Sequence, residues 1–121
     1  MAVHSTYVAG DAAILTGDDK GEVRLWKGEG FRQLNALHVH KEPIRGLSLS
    51  PTKRKFATCS DDASIQIVDL LRFKQESELP GHRSDCRAAE WHATMSLLAS
   101  CSRDCTIRLW DPRVGKQLAI T

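Results

Sequence analysis

The feature that most constrains this fold is an internal repeat with a period of 42 residues. The positions that keep this spacing without a gap are Thr16, Thr58 and Ser100, then Trp26, Val68 and Trp110, and finally His40 and His82. A fixed period of roughly 20 to 50 residues marks solenoids and propellers, in which one supersecondary unit stacks on its neighbours. The 121-residue chain therefore contains about three copies of one unit.

Each copy has the pattern of short β-strands. Residues 55–62 align with residues 97–104, and residues 64–69 align with residues 106–111. Both blocks alternate branched apolar residues with polar ones, which is the period of a half-buried strand. Polar turns separate the blocks, and all four prolines fall between strand candidates, where a missing backbone donor is tolerated. The sequence therefore predicts an all-β fold.

Two dipeptides connect this pattern to a known family. Gly81-His82 opens a unit, and Trp110-Asp111 closes its third strand, at the spacing of a four-stranded blade. In these motifs the chain resembles the WD-repeat family over its whole length. The resemblance implies WD-repeat β-propeller blades, about three four-stranded antiparallel blades in an open arc. Propellers close with roughly four to eight blades, so we expect a fragment of a larger, seven-bladed propeller.

The repeats divide the chain into a partial repeat over residues 1–37 and complete repeats over 38–79 and 80–121. The resemblance implies a buried hydrogen-bond network in each complete repeat, in which a turn aspartate accepts from a histidine and a hydroxyl joins that histidine to a tryptophan. The members are His40, Thr58 and Asp62 in the second repeat, and His82, Ser100, Asp104 and Trp110 in the third. Such a network stabilises only if every member has a partner.

The same residue types could be taken for a catalytic triad of histidine, serine and aspartate. A nucleophilic serine needs an exposed, strained turn and an oxyanion site, and Ser100 lies on a predicted strand instead. We therefore predict structural hydrogen bonding and no catalytic residue, cofactor or metal. The four cysteines lack the Cys-x-x-Cys pairs of a zinc site.

The repeats differ in how completely they keep the pattern. Val68 replaces the tryptophan of the middle repeat, which leaves that network one donor short. In the first repeat Lys20 stands at the aspartate position, with Asp18 and Asp19 beside it, and the histidine would fall before residue 1. We therefore expect the third repeat to be the most stable blade.

Composition excludes several classes of protein. The chain is 41% hydrophobic and 26% charged with a net charge of +2, which is ordinary for a globular domain. Neither a targeting segment nor a membrane-spanning stretch is apparent, so we expect a soluble intracellular protein without a membrane partner. The glycines of the first repeat flank a strand rather than leading into a helix, so they do not predict a phosphate-binding loop.

A longer stretch is more particular than the generic repeat. Residues 40–118, including His40-Lys41-Glu42-Pro43, residues 56–62 and Trp91-His92, resemble the WD-repeat subunit of the nuclear cleavage and polyadenylation machinery. This resemblance implies a nuclear scaffold that joins protein subunits of a multiprotein complex in mRNA 3′-end formation. In that family much of the RNA contact comes from other segments and partners, so we expect RNA contact indirectly or through the parent protein. An adaptor or substrate receptor in a ubiquitin ligase or in signalling stays open as the alternative.

By analogy with WD propellers, the partner-facing top surface carries residues that follow the histidines, open the first strands or precede the turn aspartates. Here these are Lys41, Pro43, Arg45, Asp61, Arg83, Asp85, Arg87 and Arg103. They form a mildly basic rim with two acidic interruptions, which is either a solvated face or a phosphate contact. Lys53-Arg54-Lys55 should lie on the opposite face as a solvated hairpin tip. An open arc exposes apolar blade faces and strand edges, so we expect the isolated chain to self-associate.

Overall fold

A computed structural model describes residues 3–8, 13–27, 30 and 32–121, with side chains from residue 13 onward. Within these residues the chain forms twelve β-strands. They are β1 Val3–Val8, β2 Ala13–Asp18, β3 Glu22–Lys27, β4 Arg32–His38, β5 Ile44–Leu49, β6 Lys55–Ser60, β7 Ile65–Asp69, β8 Lys74–Leu79, β9 Cys86–Trp91, β10 Leu98–Ser102, β11 Ile107–Asp111 and β12 Lys116–Ile120.

The strands form three separate antiparallel sheets of four, each in simple sequence order. We call the sheet of β1 to β4 blade 1, that of β5 to β8 blade 2 and that of β9 to β12 blade 3. The turn between the second and third strands has a residue with positive φ at the same repeat position in each blade: Gly21 at 82°, Ala63 at 72° and Cys105 at 69°. The prediction of three four-stranded antiparallel blades is confirmed.

Each blade has two chemically different faces, because successive side chains of a strand point to opposite sides of the sheet. One face of blade 2 is aliphatic and consists of Ala57, Cys59, Ile65, Ile67 and Leu79, each with 0% exposure. This aliphatic face packs against residues of blade 3 that point the other way: Cys86, Ala89, Leu98 and Trp110. The blades are therefore joined by an apolar layer rather than by shared strands.

The same arrangement joins blade 1 to blade 2. Leu15 and Val23 of blade 1 pack in one cluster with Ile44, Leu47, Phe56, Val68 and Phe73 of blade 2. The rings of Phe56 and Phe73 lie 5.7 Å apart between centroids and occupy the cluster in which Val68 replaces a tryptophan. Phe73 has φ 51° at the position where blade 3 has Gly115, so burial of its ring offsets a strained backbone.

The aliphatic face of blade 3 has no blade packed on it within the described chain. The residues equivalent to the five buried ones of blade 2 are Ala99, Cys101, Ile107, Leu109 and Thr121, and each of them is exposed or half-buried. Ile107 is 56% exposed, whereas Ile65, one repeat earlier, is fully buried. Blade 2 is thus covered on both faces and blade 3 on one.

We expect this difference in covering to reverse the predicted order, in which the third repeat is the most stable blade. We expect backbone amides of β6 and β7 in blade 2 to exchange with solvent more slowly than those of β10 and β11 in blade 3, because local opening is easiest where few apolar contacts are lost. Hydrogen exchange followed by NMR measures both sets in one sample. Slower exchange in β10 and β11 would show that the complete polar network of blade 3 outweighs its uncovered face.

Candidate functional site

The third repeat assembles a continuous buried network of polar side chains. His82 Nδ1 lies 2.9 Å from Asp104 Oδ2, and His82 Nε2 lies 2.7 Å from Ser100 Oγ. The indole Nε1 of Trp110 donates to the same Ser100 Oγ at 2.9 Å. The loop before β9, the strands β10 and β11, and the turn between these two strands each supply one member, so four separate segments are fixed to one another.

The hydrogen bonds of this network run in one direction, from Trp110 through Ser100 and His82 to Asp104. The Trp110 indole can only donate, so Ser100 Oγ accepts from it. With the His82 proton on Nδ1, beside Asp104, the Ser100 hydroxyl donates to His82 Nε2. The Nδ1–H of His82 is then directed at the carboxylate of Asp104. Aligned bonds of this kind polarise one another and strengthen the chain, and every buried member has its partner.

The second repeat forms the same network without the indole. His40 Nδ1 lies 3.0 Å from Asp62 Oδ2, and His40 Nε2 lies 2.7 Å from Thr58 Oγ1. No indole N–H reaches Thr58, since Val68 stands at the tryptophan position. The hydroxyl of Thr58 keeps one donor role towards His40, so nothing is left unsatisfied by the replacement.

The first repeat replaces its missing aspartate in a way that sequence alignment did not predict. Asp18 lies two residues before the expected position, and its Oδ1 accepts the backbone N–H groups of Lys20 and Glu22, each at 2.9 Å. In the other repeats a serine and an aspartate divide these two bonds between them. Thr16 still accepts from the indole of Trp26 at 2.9 Å. One carboxylate therefore closes the turn of blade 1.

Several members of the network were missed by sequence analysis. The hydroxyls of Ser64 and Thr106 donate to the aspartate of their own turn. Ser60 and Ser102 accept the backbone N–H of that aspartate and donate to the carbonyls of Glu42 and Ser84. Both pairs keep the 42-residue spacing, so the repeat itself carried the signal. Arg108 is also buried, and its Nη1 donates to Gln117 Oε1 at 2.9 Å.

The aspartates have carboxyl pKa values below the ordinary range. Burial alone would raise the pKa of Asp62 and Asp104, but the hydrogen bonds that they accept outweigh it. For Asp62 these come from His40 and Ser64, and for Asp104 they come from Thr106, the Arg83 amide and His82. Relative to the protonated acid, the carboxylate of each aspartate is therefore more stable in the folded chain than in the unfolded chain.

This lowering predicts acid sensitivity. A depressed folded-state pKa stabilises the fold at pH values above the unfolded carboxyl pKa of about 4, and this stabilisation is lost as the pH falls towards the lower folded value. The urea concentration at the unfolding midpoint should therefore decrease as the pH is lowered from about 6 to about 3. A double variant with Asp62→Asn and Asp104→Asn should be less stable at the higher pH, and its urea midpoint should change less as the pH is lowered. Parallel curves for the two proteins would rule out these aspartates as the source.

The network cannot serve as a nucleophilic centre. Ser100 is only 3% exposed and His82 only 8%. The hydroxyl of Ser100 is used between an indole and an imidazole inside the blade interface, so no substrate carbonyl can approach it. These bonds hold the turn between β10 and β11 against the loop before β9.

The top surface is held by a repeated backbone contact. Asp61 N–H donates to the Pro43 carbonyl at 3.1 Å, and Arg103 N–H donates to the Asp85 carbonyl at 2.9 Å. Each contact ties the turn before β7 or β11 to the opening of the first strand of its blade. Arg45 forms two hydrogen bonds to Asp61, at 3.0 and 2.7 Å. The structure therefore brings the predicted rim residues together at one edge of the arc.

Lys41 and Arg83 connect the rim to the buried network. The backbone N–H of Lys41 donates to Asp62 and that of Arg83 donates to Asp104, while both residues are exposed. The network thus fixes the backbone from which these two cationic side chains extend.

The opposite edge carries the first-hairpin turns. Lys53, with φ 61°, lies at the tip between β5 and β6, and Lys55 pairs with Glu76 at 2.7 Å. A cavity of about 320 Å³ opens there, lined among others by Lys53, Trp91 and His92. The indole N–H of Trp91 is buried and has no hydrogen-bond partner in the described part of the chain.

The cysteines are free thiols in the structure. Cys59 and Cys86 are buried, Cys101 is half-buried and Cys105 is exposed. Contact with the Cys86 thiol and burial raise the pKa of Cys59, which keeps it protonated. Among the described residues there is no group of three or more metal-ligating side chains. Nor do those residues form a helix of the length and apolarity needed to cross a membrane.

Comparison with known families decides the assignment. A family model for the WD domain, G-beta repeat, matches residues 31–69 and 73–111, which together make up more than half of the chain. The chain belongs to the WD40 family. The matched units begin near the fourth strand of one blade and end at the third strand of the next, so each WD40 repeat spans a blade boundary.

Curated relatives match about half of this WD40 chain. Polyadenylation factor subunit 2 of Candida albicans is 36% identical over 66 residues, which is 54% of this chain and 12% of that protein. WD repeat-containing protein 55 of Mus musculus is 30% identical over 74 residues, covering 61% and 19%. Protein hir1 of Aspergillus terreus is 37% identical over 68 residues, covering 53% and 7%. The chain therefore spans less than a fifth of each of these relatives.

Solved WD40 structures share the arrangement of the blades. The crystal structure of the RRP9 WD40 repeats superposes with a TM-score of 0.93 at 17% identity, over 99% of this chain and 38% of that one. The structure of U3-55K gives a TM-score of 0.94 at 16% identity, over 100% and 39%. The three blades thus have the fold and mutual orientation of consecutive propeller blades.

Proposed function

We propose that this WD40 chain is part of a non-catalytic scaffold that assembles the mRNA 3′-end cleavage and polyadenylation complex in the nucleus. WD40 domains mediate protein–protein interactions. The observation that carries the finer assignment is the 36% identity to polyadenylation factor subunit 2. It supports the resemblance to that class of subunit.

The buried networks support a scaffold because they rigidify a surface. Their polar groups are satisfied inside the blades, so the turns above them hold fixed positions. A rigid rim lowers the entropy cost of binding a protein partner. We therefore propose that partner subunits bind the top surface of Lys41, Pro43, Arg45, Asp61, Arg83, Asp85, Arg87 and Arg103.

We propose that the contact of this chain with RNA is indirect. Arg45 is already paired with Asp61, which reduces the charge that the rim offers to a phosphate backbone. We propose that pre-mRNA is contacted by other subunits or by other parts of the parent protein.

Co-purification of the tagged parent protein from nuclear extract tests the assignment. Recovery of an endonuclease and a poly(A) polymerase supports it. Recovery of ubiquitin-ligase subunits instead would replace it with the substrate-receptor alternative. A charge-reversed rim, with Arg45→Glu and Arg87→Glu, should lose partners that bind the top surface, and Arg54→Glu on the opposite edge is the matched control.

We also propose that the uncovered aliphatic face of blade 3 receives a further blade in the parent protein, and a second copy when the chain is isolated. The equivalent face of blade 2 is fully buried by the next blade, so its chemistry already fits such a partner. We expect the isolated chain to form dimers or larger species at micromolar concentration.

Ile107→Lys should shift this self-association towards monomer, because a lysine in the centre of the face would bury an unpaired charge. Leu71→Lys is the matched control, since Leu71 is 87% exposed and does not belong to the aliphatic face. Sedimentation velocity measures both variants beside the unmodified chain. A monomeric unmodified chain, or equal effects of the two substitutions, would contradict docking at this face.

A further inference from the structure

The top edges of blades 2 and 3 carry the same kinds of charge in a different arrangement. In blade 2 the guanidinium of Arg45 binds both oxygens of Asp61, so its charge and its forked donors are used within the blade. At the position equivalent to Asp61, blade 3 has Arg103. The carboxylate of blade 3 is that of Asp85, at the position equivalent to Pro43.

This exchange leaves two guanidinium groups of blade 3 incompletely paired. Arg87 Nη2 lies 3.8 Å from Asp85 Oδ2, and Arg103 Nη1 lies 3.7 Å from the same oxygen. Both distances exceed that of a hydrogen bond. The side chains of Arg87 and Arg103 are 45% and 63% exposed, whereas that of Asp85 is 25% exposed. Two cations therefore face solvent over one recessed carboxylate.

A backbone hydrogen bond joins the two segments that carry Arg103 and Asp85. The N–H of Arg103 donates to the carbonyl of Asp85 at 2.9 Å, so the turn and the strand opening move together. The pKa of Arg45 is raised first by its hydrogen bond to Asp61 and also by the charges of Asp61 and Asp85. The charge of Asp85 therefore also contributes to the raised pKa of Arg45.

We propose that Arg87 and Arg103 form a binding site for an acidic side chain of a partner protein, at the top edge of blade 3. This inference rests on the proposed scaffold function and adds the chemistry of the partner. A carboxylate or a phosphoryl group supplies oxygens for the unused N–H donors of both guanidinium groups, which bind such oxyanions in a forked geometry. Blade 2 lacks this capacity because Asp61 already occupies its arginine.

A peptide fits this site better than RNA does. Carboxylates alternate with guanidinium groups along the edge, so a continuous phosphate backbone would be repelled at Asp61 and Asp85. No aromatic residue occurs among the eight rim residues, so unpaired bases would find no aromatic side chain to stack on there. One acidic side chain between two arginines meets neither obstacle.

Fluorescence anisotropy with the 121-residue chain tests the site. The probes are labelled Gly-Ser peptides with a central tri-glutamate, a central phosphoserine or a central tri-glutamine, and an oligo-uridine RNA of similar length. We expect both acidic peptides to bind at least about tenfold more tightly than the glutamine peptide. The tighter of the two acidic peptides distinguishes a carboxylate from a phosphoryl ligand.

The variant Arg87→Gln with Arg103→Gln should remove that preference, while Arg54→Gln on the opposite edge should leave it within about twofold. Circular dichroism confirms that the variants fold. Equal binding of acidic and glutamine peptides would overturn the inference. An equal loss in Arg54→Gln would also overturn it, and so would tighter RNA binding that depends on the two arginines.

Co-purification separates this inference from the proposed function. If the 3′-end subunits co-purify with the parent protein and also with its Arg87→Gln, Arg103→Gln variant, the acidic-peptide site is wrong and the scaffold assignment stands. If the unmodified parent protein recovers none of them, the assignment itself fails, whatever the peptides do.

Discussion

Replacing Gly21 by alanine is expected to lower the free energy of unfolding by about 3 kcal/mol, the upper part of the range for overpacking. Gly21 has φ 82°, and an added β carbon would overlap the carbonyl oxygen of His40. The Gly21 carbonyl accepts the N–H groups of Val39 and His40 at 3.0 and 3.1 Å, so this turn of blade 1 is fixed to the segment that opens blade 2. The overlap is with backbone, which cannot move aside as a flexible side chain can.

Gly115→Ala is the matched control for this substitution. Gly115 has φ 66°, but an added β carbon would have no atom within 4 Å. The control therefore measures left-handed strain alone, about 1 kcal/mol. Urea unfolding followed by circular dichroism gives both values. Equal losses would show that Gly21 is needed only for its φ angle and that the contact between blades 1 and 2 is looser than described.

Replacing His82 by alanine is expected to lower the free energy of unfolding by about 3 kcal/mol. The substitution leaves a cavity beside Trp110, whose ring centroid lies 6.3 Å from that of the imidazole, and it removes partners from Ser100 and Asp104. Ser100 keeps its bond from the indole, which limits the loss.

His38→Ala provides the comparison for His82→Ala, since His38 is exposed and bonds only the Lys20 carbonyl, at 2.9 Å, among the contacts described. We expect this control to cost less than about 1 kcal/mol. Thermal unfolding of the two variants beside the unmodified chain is sufficient. Similar effects at both positions would mean that the buried network adds no more than a surface hydrogen bond.

The internal repeat and the family resemblance together predicted most of the candidate site. Because His82, Ser100, Asp104 and Trp110 keep the same register as residues of earlier repeats, their roles followed from their positions in a blade. The structure adds further members, such as Ser102 and Thr106, which also repeat. The predicted network contained only the residue types of the family signature, so these hydroxyls were not included in it.

Substitutions that break the repeat were harder to interpret. Lys20 suggested a turn without its carboxylate, yet Asp18 reaches the same N–H groups from two residues away. Val68 suggested a weaker blade, yet Phe56 and Phe73 occupy the cluster around it. Both replacements depend on which side chains meet in space, and alignment of equivalent positions does not show that.

The sequence by itself determined the number of blades, the order of their strands and the chemistry of their turns, because strand period and turn preference are local properties. Only the tertiary structure decided how the blades differ in the covering of their faces and in the pairing of their surface charges. Packing of the blades gives blade 2 a neighbour on each face and leaves Ile107 of blade 3 exposed. Within blade 3, the fold brings Arg103 close to Asp85. These outcomes depend on contacts between residues far apart in the chain, which local sequence patterns do not specify.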